Sequence, residues 1–238
     1  TLRKMFFEKY PKKIWGLDTN KMTPDWAPNR IKFREKILPF YNEEYAAAGK
    51  YGTGCIYDRI ADKIKKKGGK FKFNENVNGF DFFNKKISKI KTNKKNYKIN
   101  ANDIIISSLP INITSNFLGK SNKLKFRGIC SVYLFYNKNE ILPRNQHWLY
   151  FDSNKLLFNR VTENKKLSKF VAPKNKSFLT VEITYSQGDK FSKINSKKII
   201  ESIKKQIELT KLIDNKLLIG TAINYEPYVY PVQYADYK

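Results

Sequence analysis

Apolar residues recur at every fourth position in Ile56, Ile60 and Ile64, Lys and Asp fill the opposite side, and Gly68-Gly69 follows. That spacing predicts a helix entered near Gly54 and stopped by the glycine pair. A second stripe, Ile199, Ile203 and Ile207, predicts an amphipathic helix over about 196–212 with these isoleucines on its core face. Elsewhere the pattern shortens to strand-like runs at 70–73, 86–91, 96–100 and 103–109. The last, Asp103 to Pro110, is continuously apolar between a polar start and a proline, as in a buried strand of a parallel or mixed sheet. Runs at 128–137, 146–152, 155–160, 177–186 and 217–226 follow mostly in succession, which implies an antiparallel sheet as a second architectural unit. Residues 1–45 read as aromatic and irregular, with Thr23-Pro24 starting a short helix.

Composition sets outer bounds. The 238 residues are 41% hydrophobic and 15% aromatic, which excludes a disordered chain and allows one large domain or two modest ones. The net charge of +26 invites a nucleic-acid partner, but only seven of the 47 basic residues are Arg, the base reader's preferred cation. The remainder is Lys, which accompanies abundant Asn and Ile as A/T-rich codons would produce. Its densest runs, Lys63–Lys70 and Lys85–Lys95, fall where solvated faces are expected. No specific nucleic acid is therefore expected, and a basic nucleic-acid-binding module stands as the non-enzyme alternative.

Cys55 and Cys130 lack a CxxC partner and His147 is the sole histidine, so no metal is expected and the thiols suit a reducing cytoplasm. The longest uncharged run, 104–119, contains Pro110 and is too short for a membrane span, which needs roughly 20 apolar residues. Gly52-Thr53-Gly54 lacks the preceding strand and third glycine of a dinucleotide fingerprint and reads as a turn feeding a helix.

Three arginines stand out from the lysine background. Arg30 and Arg34, four apart, share a face if helical and can clamp a diphosphate. Arg160 ends the apolar run Leu156-Leu157-Phe158, where a cation requires a partner. Tyr225, Tyr228, Tyr230 and Tyr234, with Pro227 and Pro231, form a cluster suited to core, rim or a sugar or flavin pocket.

Taken in order, the segments Phe7–Gly16 (Phe-Glu-Lys-Tyr-Pro-Lys-Lys-Ile-Trp-Gly), Asp25-Trp26, Arg30-Ile-Lys-Phe-Arg34, Phe71–Val77, Asp103–Pro110, Phe158-Asn-Arg160-Val-Thr-Glu163 and Tyr228-Val-Tyr-Pro231 make a recognisable series. The series resembles flavoproteins of the UDP-galactopyranose mutase and protoporphyrinogen-oxidase-like, amine-oxidase-type group. The resemblance implies a mixed α/β (α+β) fold: an FAD-binding amine-oxidase-like frame lacking its N-terminal Rossmann βαβ, with an antiparallel-sheet substrate domain. The expected divisions are 1–48 (substrate side), 49–110 (part of the FAD-binding domain), 111–226 (substrate domain) and 227–238 (the return to the FAD domain). Thr1 and Lys238 then read as cuts on either side of the substrate region.

It also implies FAD as cofactor, a nucleotide-sugar substrate, and a role in cell-surface polysaccharide synthesis. A flavin amine oxidase or protoporphyrinogen-oxidase-like dehydrogenase acting on an apolar substrate is the enzyme alternative. By the same resemblance, Val77 and Pro110 border the cofactor. Arg30 or Arg34, with Arg160, holds the diphosphate, and Trp15, Tyr228 and Tyr230 line the cleft. Because the flavin supplies the nucleophile in such mutases, no histidine or carboxylate pair is expected as a catalytic residue.

Overall fold

A computed structural model of the chain describes residues 4, 7–24, 52–143, 146–211 and 213–235. The chain divides into two compact units, Thr1–Arg59 with Phe126–Lys238, and Ile60–Lys125.

The first unit is organised by a five-stranded antiparallel sheet of β4 (Phe126–Tyr136), β5 (Trp148–Tyr150), β6 (Arg160–Glu163), β7 (Ser177–Ser186) and β8 (Leu218–Pro231). Their order across the sheet is β5-β6-β7-β4-β8. Alternate residues face opposite sides of the sheet. Cys130, Val132, Leu134 and Tyr136 of β4 therefore share a buried face with Leu179, Val181 and Ile183 of β7 and Val161 of β6.

The long helix Ser196–Leu209 packs onto that face through Ile199, Ile203 and Ile207, all buried as the four-residue spacing requires. Its N-terminus is capped by Asn195, whose side-chain oxygen accepts the Lys197 N–H at 2.9 Å. Burial raises the Cys130 thiol to about 12, so it serves as packing volume.

Residues of opposite parity form the other face. The register places Arg160 beside Glu182 beside Ser131, and in the next row Thr162 beside Thr180 beside Tyr133. This polar and aromatic face carries the candidate site.

The second unit holds a three-stranded antiparallel sheet, β1 (Val77–Phe83), β2 (Lys86–Thr92) and β3 (Asn96–Lys98), with the short helix Ile111–Phe117. Phe117 meets Phe80 edge-on at 5.5 Å. Asn84 and Lys85 have φ of 47° and 62°, the left-handed pair that matches hairpin twist in a two-residue turn. Glu75 accepts hydrogen bonds from Thr92 (2.7 Å) and Tyr97 (2.8 Å), and these bonds hold its carboxyl below the usual range. The helix Gly54–Lys66 forms where expected, and its isoleucine stripe is 38–49% exposed.

Four expectations are corrected. Residues 70–73 form no strand; the strand begins at Val77, hidden by Gly79 and Asp81, which weaken the β pattern. Residues 103–109 are extended but join no ladder among the described residues, and both described sheets are antiparallel. Ile104 and Ile106 are 88% and 91% exposed, so the apolar run is not a buried strand here. Residues 155–160 are not a strand, because the Leu157 N–H goes to Gln206 Oε1 of the long helix at 2.6 Å; the strand starts at Arg160. Finally, Lys9–Trp15 is a helix, with Pro11 in its first turn where the missing N–H costs nothing. The short helix expected after Thr23-Pro24 falls beyond the described residues.

Candidate functional site

The helix Lys9–Trp15 lies on the open face of the five-stranded sheet and is fixed there by polar clamps. Arg127 of β4 donates from Nε to the Ile14 carbonyl (3.0 Å), from Nη2 to the Lys13 carbonyl (3.2 Å) and from Nη1 to Ser186 Oγ (2.6 Å). Thr184 Oγ1 of β7 also donates to the Lys13 carbonyl, at 2.6 Å. These donors satisfy carbonyls that a helix C-terminus leaves without an intrahelical partner. Gly16 then takes φ +68° to close the helix, and a Cβ there would sit 3.1 Å from Arg127 Nη1.

From the other side, Lys13 Nζ donates to the carbonyls of Phe151 (3.2 Å), Ser153 (3.1 Å) and Phe158 (2.5 Å), stapling the helix to the segment between β5 and β6. Burial lowers the Lys13 ammonium from 10.5 to about 8, with Asp152 opposing. The sign follows directly. Between about pH 8 and 10.5 the unfolded chain holds the proton that the folded one has released, so this group favours folding more as pH rises through that window. In chemical denaturation, wild type should gain stability relative to Lys13→Met from pH 8 to 10. A difference that stays flat or shrinks contradicts the shift.

So anchored, the helix sets two aromatic rings against rings of the sheet, and one of them, Tyr10, feels the charge of Arg160. Tyr10 meets Tyr150 edge-on at 5.2 Å, and Trp15 meets Tyr230 at 5.6 Å and 65°. Burial pushes the Tyr10 hydroxyl well above its ordinary value; Tyr150 adds to this, while a hydrogen bond from Asn159 and the charge of Arg160 oppose it. Tyr10 is therefore a neutral donor at physiological pH.

Arg160 donates from Nη2 to Glu182 Oε1 at 2.5 Å. Burial disfavours its charge, but the hydrogen bond and attraction of Glu182, and then Tyr150, outweigh this and hold the guanidinium protonated above its ordinary value. The Arg160 Nε and the adjacent Asn159 Oδ1 are buried, and neither finds a hydrogen-bond partner among the described residues. Buried polar atoms of that kind call for an explanation, and a ligand is one. Beside the ion pair opens a recess of about 280 Å³ whose lining includes Trp148, Tyr150, Thr162 and Thr180.

Of the residues singled out from sequence, Trp15, Tyr230 and Arg160 all lie in this unit, around the helix Lys9–Trp15 and the open sheet face. Tyr228 packs on Phe126 at 5.7 Å, apart from the Trp15–Tyr230 pair. Arg30 and Arg34 lie outside the described residues. Val77 opens β1, and Pro110 precedes the helix Ile111–Phe117 in the second unit. Sequence reasoning missed Tyr10, Asn159, Tyr150 and Glu182. Tyr10 and Asn159 sit inside the motifs Phe7–Gly16 and Phe158–Glu163, whereas Glu182 is identified only by strand register.

Comparison with known proteins gives a consistent picture. The sequence model of the family described as UDP-galactopyranose mutase matches residues 5–227. No curated protein sequence matches the chain.

Among solved structures, a reduced UDP-galactopyranose mutase superposes with a TM-score of 0.76 at 16% identity, covering 98% of this chain and 54% of that one. A protoporphyrinogen-oxidase-type protein from Exiguobacterium sp. gives 0.64 at 10% identity, over 79% of this chain and 41% of that one. An oxidoreductase from Methanosarcina mazei gives 0.51 at 17%, over 77% and 44%. The structural likenesses establish the fold, and the chain spans about half the length of the first of these structures or less of the others. On the family match across residues 5–227, the chain belongs to the UDP-galactopyranose mutase family.

Proposed function

We propose that the chain is the substrate-binding part of an FAD-dependent, mutase-type enzyme acting on a nucleotide-sugar in cell-surface polysaccharide synthesis. The observation that carries this reading is the cluster around Arg160. One half-buried guanidinium, its Nε buried and still unsatisfied among the described residues, lies near Tyr10 and Tyr150. Aromatic rings offer stacking surface to a base or sugar, and a guanidinium fork matches phosphate oxygens. The polarity of the cluster favours a nucleotide-sugar over the apolar substrate of an oxidase. Trp15 and Tyr230 extend the wall, and Arg30 or Arg34 adds the second cation of a diphosphate clamp.

The second unit fits part of a flavin seat. The extended segment ending at Pro110 presents Ile104 and Ile106 almost fully exposed, an apolar surface of the kind a flavin or adenine is laid against. Val77 and Pro110 would border the cofactor there. When bound, FAD supplies the nucleophile for the sugar, so the protein's own work is positioning and charge. Arg160 balances phosphate charge, Tyr10 donates a neutral hydroxyl, and the helix Lys9–Trp15 excludes water from above the sheet.

The test is a flavin spectrum. The full-length protein should purify yellow, with FAD released on denaturation and identified by mass. A colourless, flavin-free protein that FAD does not reconstitute would sink the flavoprotein reading.

A further inference from the structure

The tip of the β1–β2 hairpin exposes two adjoining aromatic rings. Phe82 and Phe83 are 46% and 71% exposed, and Asn84, Lys85 and Lys86 follow them directly. Adjoining apolar side chains with a polar rim mark a contact surface in a way that single exposed residues do not. Phe80, two residues earlier on β1, lies edge-on against Phe117, so the strand does pack a ring where its own unit offers a place. The two-residue turn, with φ positive at both Asn84 and Lys85, holds the tip in one shape. Directly behind it the register slips by one residue at Ser88, and such a bulge sharpens the local twist.

Lysines surround the rings. Lys86 stands directly across from Phe83, and Lys85 occupies the turn. Further along the ribbon Lys89 lies opposite Lys98, a like-charged pair that costs stability on a sheet. Asp81, the other neighbour of Lys89, is committed to Lys91 at 2.6 Å. No carboxylate pairs with Lys85, Lys86, Lys89 or Lys98 among the described residues. Over Ile60–Lys125 sixteen lysines stand against four carboxylates, with no arginine. The unit therefore carries a diffuse positive field rather than the guanidinium forks of a base reader.

These features discriminate between partners. The core of a protein interface is depleted of lysine, which disfavours burial of this tip against another protein. A second copy of the chain, meeting it patch on patch, would set the same lysines against each other. Stacking of nucleic-acid bases needs rings side by side on one platform, whereas adjacent residues of a strand point to opposite faces. A lipid interface fits both halves of the tip: rings enter the boundary between headgroups and acyl chains, and ammonium groups meet anionic headgroups just behind them.

We infer that the β1–β2 hairpin tip, Phe82 and Phe83 with Lys85 and Lys86, docks the protein reversibly on an anionic lipid surface. Rings alone anchor weakly and lysines alone attract only at a salt-sensitive distance, so the two signals act together. Lys89 and Lys98, behind the tip, add to the attraction, and anionic headgroups relieve their mutual repulsion.

Co-sedimentation of the full chain with lipid vesicles tests this. Vesicles of equal parts phosphatidylglycerol and phosphatidylcholine should retain the protein, phosphatidylcholine alone should not, and added salt should weaken retention. Phe82→Ser/Phe83→Ser and, separately, Lys85→Glu/Lys86→Glu should each lower the partition coefficient at least tenfold. Lys197→Glu/Lys198→Glu, on the exposed side of the long helix, changes the net charge by the same amount as the second of these and should have a much smaller effect. Phe83→Trp gives a readout that needs no loss of binding: brominated phosphatidylglycerol should quench the added indole emission.

No retention on phosphatidylglycerol vesicles overturns the inference. So does retention that the tip variants leave unchanged, or that the long-helix variant lowers equally, since net charge alone then accounts for it. An indole that brominated lipid leaves unquenched removes the insertion of the rings. Binding to poly(U) that the tip variants abolish, with vesicles unbound, overturns the lipid surface in favour of RNA.

Discussion

Glu163→Ala is expected to cost about 3–5 kcal/mol of folding stability, the range seen when one partner of a buried charged network is removed. The carboxylate is fully buried and accepts from both backbone and side-chain donors. Oε1 accepts the Ile141 N–H (2.9 Å) and Ser177 Oγ (2.7 Å), Oε2 accepts the Leu142 N–H (2.8 Å), and the Lys166 ammonium stands 3.7 Å away. Alanine strands two backbone N–H groups and a hydroxyl in the core and takes a carboxylate away from the neighbourhood of the Lys166 ammonium. Glu163→Gln should cost less, roughly 1–3 kcal/mol, because one oxygen still accepts while the new amide opposes a donor.

The effect reaches the site through the backbone. The Glu163 N–H donates to the His147 carbonyl at 2.8 Å, so the residue ties the chain before β5 to the end of β6 and sets Trp148 and Tyr150 in place. Urea denaturation of both variants reads the cost. A loss under about 1 kcal/mol for Glu163→Ala would mean that the network contributes nothing beyond an ordinary hydrogen bond.

Arg160→Ala is expected to weaken UDP-galactopyranose binding by about 1.5–3 kcal/mol, roughly 10- to 150-fold in Kd, as when a half-buried charged hydrogen-bonding group is truncated. Two losses combine: the phosphate loses its cation, and Glu182 is left unbalanced facing the ligand. Arg160→Lys keeps the charge but not the planar fork, so it should recover only part of the affinity. The double variant Arg160→Leu/Glu182→Leu removes both charges and should fold at least as well as Arg160→Ala while still failing to bind. Recovery of binding in that double variant would show that Arg160 serves only to neutralise Glu182.

What the sequence disclosed, and what it withheld, follows from the range of each interaction. The long helix was legible because packing against a flat sheet face demands an apolar residue every turn, and Ile199, Ile203 and Ile207 supply it. The need of Arg160 for a partner was legible too, since a cation next to an apolar run cannot stay unpaired. Which residue answers that need was not. Glu182 is 22 positions away and faces Arg160 only through the β6–β7 register, which no local pattern encodes.

The helix Lys9–Trp15 carries aromatic and basic residues without an apolar stripe, and it is held by Arg127, Lys13 and Thr184 through carbonyls together with the ring contacts of Tyr10 and Trp15. Binary patterning is blind to that kind of docking. The run 103–109 misled in the opposite direction: its composition is that of a buried strand, yet no described strand pairs with it. The overall charge proved equally uninformative. The arginine beside the recess, Arg160, is paired with Glu182, so its charge is not part of an open basic patch.

The most direct measurement is a calorimetric titration of UDP-galactopyranose into the protein, repeated with Trp15→Ala and Tyr230→Ala. The account predicts saturable binding with one ligand per chain, competed by UDP and weakened at least tenfold in each variant. An absence of saturable heat, or full affinity in both variants, would contradict a nucleotide-sugar site beneath the helix Lys9–Trp15.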